Sequence, residues 1–459
     1  MHFLGSMGTA WTNRLFARVD ITALVYFRIV FGGIMAWEVV RFIQNGWISR
    51  YFIQPKFHFT YFGFGWVHPL PGLGMYWLFG VLGLLSLCIL FGLAYRLSAA
   101  LFFAGFTYAF LVDEARYLNH FYFVCLLSFL AIFVPAHWKF SVDAMLRPGI
   151  ASEQAPAWTL WMLRAQMGIV YFYGGVAKLN ADWVQGWPLR LWLGENFDLP
   201  ILWRYRGEPW LAIGMSYAGL AMDLLAVPLL LWRRTRWPMF TVLALFHLTN
   251  ATIFDIGIFP WLSLAATALF FAPDWPRRAV EFARIRLPGG KRFDEAVEAP
   301  REDPPRYRKA TLVALAVYFA FQVFIPLRHW LYPGPVAWSE EGHRFSWRMK
   351  LRDKGGNISF TISNPETGES RSVELARYLD DWQISAMGPR PDMVLQFANY
   401  LADRETQPGH RRVEVRANLK VSLNGRKARH LIDPMVNLAA EKETLFSAPW
   451  ILPFSNPPR

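Results

Sequence analysis

Cysteine is nearly absent from this chain: there are two in 459 residues, and both Cys88 and Cys125 fall inside apolar runs. That pattern reads as two small core residues rather than a disulfide or a metal site. Charge is scarce as well. Only 18% of the residues are charged, against 54% hydrophobic and 17% aromatic, a balance too apolar and too aromatic for an ordinary soluble enzyme. The histidines are scattered and lack carboxylate or thiolate companions, so no metal is expected. There is no phosphate-binding glycine loop, no nucleophile elbow and no internal repeat of fixed period. The N-terminus lacks a short apolar core followed by a small-residue cleavage site, so no removable signal peptide is expected. The net charge of +13 raises nucleic acid as a partner. The basic residues, however, sit in short loops between apolar runs and read as topology signals, so no nucleic-acid partner is expected.

What the chain has is apolar runs of near-spanning length. About nine recur: Ile21–Phe42, Leu73–Leu93, Leu97–Leu111, His120–Pro135, Leu160–Lys178, Trp210–Leu231, Met239–Phe254, Ile258–Phe271 and Ala310–Trp330. They predict a polytopic membrane protein embedded in lipid. Several are short for a hydrocarbon core of about 30 Å, so tilted or half-buried segments are expected among them. Alternate loops carry the cations: Arg14 and Arg18, then Arg96, then Lys139 and Arg147, then Arg233 to Arg236, then a dense stretch between Asp274 and Lys309. With nine spans these share one side, which makes the N-terminus cytoplasmic and everything after Trp330 external. Past Leu331 the pattern changes. Asn357–Ile362 and Arg412–Val421 alternate like strands, Asn424-Gly425 reads as a hairpin turn, and Pro391–Ala402 reads as a helix. The expected fold class is a polytopic all-α membrane domain (1–331) followed by a small α+β extracytoplasmic domain (332–459).

One stretch organises the rest, Tyr171-Phe-Tyr-Gly-Gly-Val-Ala-Lys-Leu-Asn-Ala-Asp-Trp183. An ionisable group such as Lys178 in a membrane helix costs about 2.5–3.5 kcal/mol on insertion scales and needs a reason to be there. The bland reason is a lysine snorkelling to the interface beside Asp182, four residues on. The Gly174-Gly175 pair lets a neighbouring helix or a flat ligand approach closely. Topology brings further polar groups to the same outer level: Asn119 and His120, His247 and Asn250, Arg328 and His329. A lysine held in an apolar site is a fit general base near neutral pH. A flat ligand with an acidic hydroxyl, such as a hydroquinone, suits the walls of Tyr171, Phe172 and Tyr173. Singly, each of these groups has a packing explanation. Together they suggest a pocket open to both lipid and the outer domain.

The residues resemble the vitamin K-dependent γ-glutamyl carboxylases and their bacterial homologues with an HTTM membrane domain. The ordered matches are Val170–Val184, Asn119-His-Phe-Tyr122, Trp138-Lys-Phe-Ser-Val-Asp143, Phe246-His-Leu-Thr-Asn250 with Ile256-Gly-Ile-Phe259, Phe345-Ser-Trp347 and Ile432-Asp-Pro434. In the family a lysine deprotonates reduced vitamin K, and O₂ converts it to a strongly basic alkoxide. That base takes a glutamate γ-proton, and the carbanion captures CO₂ while the quinone leaves as its epoxide. The resemblance maps the base to Lys178 and the histidine handling glutamate to His120. It places Asn119 by the hydroquinone, His247 in a structural or hydroquinone-lining role, and His343, Trp347 and Arg352 by the glutamate; Tyr171, Gly174, Gly175 and Asn250 are expected at the same hydroquinone site. It implies phylloquinol or menaquinol as cofactor, O₂ and CO₂ as co-substrates, and a glutamate-containing peptide or protein as substrate. A quinone reductase in the pathway and a bacterial inner membrane follow from it too.

Departures from the animal enzymes stand beside the matches. A lysine pair there is Ala177-Lys178 here, a disulfide cysteine is Ala94, tyrosine and histidine positions by the glutamate are His343 and Arg352, and their long C-terminal β region is missing from a chain that stops at Arg459. Arg352 is expected to be able to pair with a substrate carboxylate. Three other readings stay open: a hydroquinone epoxidase without carboxylation, a non-catalytic quinone- or lipid-binding membrane protein, and, third, a transporter.

Overall fold

The computed structural model describes residues 11–196, 203–253, 256–285 and 305–455. A short antiparallel ribbon, β1 (Arg18–Asp20) with β2 (Gln154–Pro156), ties the start of the first helix to the start of the fifth. The bundle helices are α1 (Thr22–Gln44), α2 (Gly74–Phe91), α3 (Tyr95–Leu111), α4 (Asn119–Ala131), α5 (Ala157–Lys178), α6 (Pro209–Leu231), α7 (Arg236–Ile253), α8 (Phe259–Thr267) and α9 (Pro305–Leu327). A helix thus stands at each apolar run, but length and composition suit membrane crossing in four segments: Thr22–Gln44, Gly74–Phe91, Pro209–Leu231 and Tyr307–Leu331. Tyr95–Leu111, Asn119–Ala131 and Phe259–Phe270 are apolar but shorter. The expected count of nine spans is thus not confirmed: among the described residues four helices are long and apolar enough to cross a membrane. The physical reason shows in α5, whose apolar pattern is broken by Arg164, Gln166 and Lys178. All three are buried against neighbouring helices, and Arg164 donates to the carbonyls of Leu269 and Phe271 at 2.7 and 2.8 Å.

Close helix approach follows from small residues. On α1, a Cβ at Gly32 would lie 2.6 Å from the backbone nitrogen of Leu90, so α1 and α2 meet there backbone to backbone. On α5, a Cβ at Gly175 would lie 2.6 Å from Leu224 Cδ2 of α6. The outer faces stay apolar: Trp77, Leu84, Val313, Phe321 and Phe324 are all more than 60% exposed, which suits lipid contact rather than water.

The C-terminal region is built on an antiparallel sheet of order β4-β3-β5-β6, with β3 Lys354–Ser363, β4 Ser370–Ser372, β5 Glu414–Leu423 and β6 Arg429–His430. β3 and β5 pair from Lys354↔Leu423 to Ser363↔Glu414. Val415, Ala417, Leu419, Val421 and Leu423 alternate onto the buried face, where α10 (Pro391–Glu405) packs with Val394, Phe397 and Leu401. Asn424 and Gly425, at φ 51 and 76, make the turn into β6. The region docks on the bundle through polar contacts. Arg426 donates to both oxygens of Asp182 at 2.5 and 2.7 Å, and Asn424 adds a bond at 2.7 Å.

Candidate active site around Lys178

A cavity of about 630 Å³ opens between α1, α4, α5, α6, α7 and the turn before α8. Its polar lining includes Lys178, Asp223, His120, Asn119, His247 and Asn250, set among the rings of Trp47, Tyr171, Phe246 and Phe259. The N-terminus of α4 places Asn119 and His120. The last turn of α5 places Lys178, and α7 carries His247 and Asn250 one turn apart. Residues from four separate stretches of sequence thus share one hollow.

Lys178 does not snorkel. It is 8% exposed, and its Nζ donates to Asp223 Oδ2 of α6 at 2.5 Å and to the Gly174 carbonyl at 3.1 Å. The expected partner, Asp182, is instead held by Arg426 and Asn424. The helix ends at Lys178, so four residues on is no longer one turn away. Asp223 was not singled out from sequence, although a lone carboxylate in the run Trp210–Leu231 is itself a signal. Gly174 and Gly175 are not lining positions either. A Cβ at Gly174 would lie 3.0 Å from Asp223 Oδ2 and one at Gly175 would strike Leu224, so the pair lets α6 approach and seats the carboxylate against the lysine.

Behind the lysine runs a second chain of contacts. The Tyr171 hydroxyl lies 2.9 Å from Thr267 Oγ1 and 3.2 Å from His247 Nε2. His247 Nδ1 is buried and has no hydrogen-bond partner among the described residues. His120 lies edge-on to Phe121, ring centroids 4.7 Å apart, and 6.3 Å from the Phe259 ring. A hollow of this size falls in the range of about 300–1,000 Å³ that holds drug-sized ligands. Its aromatic walls and unpartnered ring nitrogen fit a flat apolar molecule with polar edges.

Two family models cover most of the chain: the HTTM domain matches residues 16–275, more than half of the chain, and the vitamin K-dependent gamma-carboxylase lumenal domain matches residues 307–457. The chain belongs to the vitamin K-dependent carboxylase family. It is a carboxylase-like membrane protein, and the family implies vitamin K as cofactor and a glutamate-containing substrate. No solved structure matches the chain. Among the described residues no group of histidine, cysteine and acid side chains could hold a metal ion.

The residues expected beside the glutamate lie outside this cavity. Arg352 is committed: it pairs with Glu340 and approaches His343 Nε2 at 3.1 Å, so it is not a free partner for a substrate. His343 is held in the same cluster, 3.9 Å from Glu340. Trp347 is fully buried against Tyr122, centroids 5.0 Å apart. From that segment Met349 and Lys350 reach the cavity. Arg328 donates to the Arg344 carbonyl at 2.7 Å, and His329 lines a different cleft on the other face of α5.

Proposed function

We propose that this protein oxidises reduced vitamin K with O₂ and couples that oxidation to carboxylation of glutamate. The observation that carries the reading is the Lys178–Asp223 pair opening on the same aromatic cavity as His120 and His247. Reduced vitamin K, once bound, supplies on reaction with O₂ the strong base that removes a glutamate γ-proton, leaves as the epoxide, and so opens that carbon to CO₂. Everything else is the work of the chain. Lys178 Nζ takes a proton from a hydroxyl of the bound quinol, and Asp223, 2.5 Å away, takes the ammonium proton that would otherwise occupy the nitrogen. His247, oriented by Tyr171, offers its open Nδ1 to the ligand's polar edge, and Asn119 and Asn250 line the same rim. His120, which lines the same cavity, handles the glutamate. The aromatic walls exclude water, which protects strong bases formed inside.

The domain boundary falls near residue 331 in this reading. The N-terminus is cytoplasmic and residues 332–459 are extracytoplasmic, as the loop cations suggest. The test uses purified full-length protein in detergent with reduced vitamin K, labelled bicarbonate and a short glutamate peptide. Epoxide and labelled peptide are both expected from wild type, and both are expected to vanish in Lys178→Ala. Epoxide without label would leave an epoxidase. Neither product, with vitamin K shown to bind, would leave a quinone-binding protein and end the enzyme reading.

A further inference from the structure

The cavity carries a charge that a neutral quinol does not explain. Of its lining carboxylates, Asp223 is taken by Lys178 and Glu38 by Arg41 at 2.6 Å. Arg116, on the turn before α4, remains. Its guanidinium stacks on the Tyr51 ring, 3.7 Å from the centroid, and makes no ion pair or side-chain hydrogen bond among the described residues. The fields of Arg116 and Arg41 both reach His120 and Glu38. Between these groups the chain keeps space open. Gly257 sits at φ +57, and a Cβ there would lie 3.2 Å from Arg41 Nη1 and 3.6 Å from His120 Nε2. The glycine in Ile256-Gly-Ile-Phe259 therefore has a spatial purpose as well as a conformational one.

The geometry points to Arg116, assisted by Arg41, as the carboxylate subsite of the cavity, holding the side-chain carboxylate of an acidic substrate beside His120. This rests on the carboxylase reading and locates its glutamate at the α4 end of the cavity instead of at His343 and Arg352. Two physical arguments support it. A planar guanidinium fixed on an aromatic face is pre-oriented for a two-pronged bond to a carboxylate. Removing a proton from the carbon next to a carboxylate also builds a second negative charge beside the first, and fixed cations in a water-poor site stabilise that charge strongly. Arg348 lines the cleft on the far side of α5, which Lys178 and His120 do not line, and Lys350, which does reach the cavity, lies over the Trp192 ring.

The test separates substrate binding from quinol chemistry. Full-length wild type and Arg116→Gln are compared for binding of a short glutamate peptide against its glutamine counterpart, and for epoxide formation with and without peptide. Arg116→Gln is expected to abolish the preference for glutamate over glutamine and raise the peptide KM at least about tenfold, with the quinol KM within about twofold. Arg116→Lys, which keeps the charge and loses the fork, is expected to fall between, and it serves alone if the glutamine variant does not fold. An unchanged glutamate preference in either variant overturns the subsite even where wild type is an active carboxylase. A wild type that binds glutamate peptide through Arg116 yet makes no epoxide would sink the enzyme reading and leave the subsite.

Discussion

Two buried lysine–carboxylate pairs in this molecule have the same chemistry and different surroundings. Lys354 lies 2.9 Å from Glu340, with their side chains 2% and 3% exposed. Glu340 also takes Arg352, and Lys354 donates again to the Trp338 carbonyl. Both oxygens of Glu340 are used, and the cluster fastens the start of β3 to the link that follows α9. Lys178 and Asp223, 2.5 Å apart, are each 10% exposed at the side chain. Asp223 has one cation, and the pair borders a cavity. A carboxylate with two cations has nothing to give up, whereas one with a single cation and an open side can exchange a proton. The number of partners and the adjoining space separate a structural pair from a reactive one.

The largest effect expected from that contrast is on chemistry. Lys178→Ala should lower epoxide formation by about 10²- to 10⁴-fold, the usual worth of a general base, while the thermal midpoint moves little because Asp223 can neutralise beside the cavity. A large loss of stability with activity retained would reverse the assignment. Glu340→Gln should do the opposite: it leaves Arg352 and Lys354 buried without their counter-charge, at a cost of about 3–5 kcal/mol. Thermal unfolding in detergent would register the cost, with the quinol KM unchanged in the protein that remains folded.

Smaller changes sharpen the comparison. Gly175→Ala pushes on Leu224 and should cost about 1–3 kcal/mol of stability. Gly174→Ala sets its methyl 3.0 Å from Asp223 Oδ2 and should reduce epoxide formation more than stability. If the two variants behave alike, the glycines serve packing alone. The least effect is in acid. Burial alone would raise the Glu340 carboxyl, but Arg352 and Lys354 outweigh it and hold it below its ordinary 4.5. A carboxyl lowered in the folded state contributes stability that is complete above the unfolded value and lost as pH falls through the folded one. The thermal midpoint should therefore fall below about pH 4.5, and Glu340→Gln should flatten that limb.

Much of the site was legible before any fold was described. Lys178, His120, Asn119, His247 and Asn250 could be brought together because alternating spans put their helix ends at one level, and in the structure all five line one cavity. Asp223 was missed because its value depends on a partner 45 residues away, and Asp182 was chosen for Lys178 by a helical spacing that ends where the helix does. Arg352 looked free in sequence because Glu340 gives no sign that it folds back on it. Strand alternation located β3 and β5 well, since one face of each had to meet a core. The count of spans was less secure, because buried polar residues in α5 lower the very hydropathy by which a span is recognised.

The sequence by itself determined that this is a membrane protein, where its helices stand and its family, because apolar run length and ordered motifs are properties of adjacent residues. Only the tertiary structure decided which charges are spent and which are open. A charge is neutralised by whatever stands within about 4 Å of it; for Lys178, Asp182 and Arg352 that neighbour comes from another part of the chain, and Arg116 has none among the described residues.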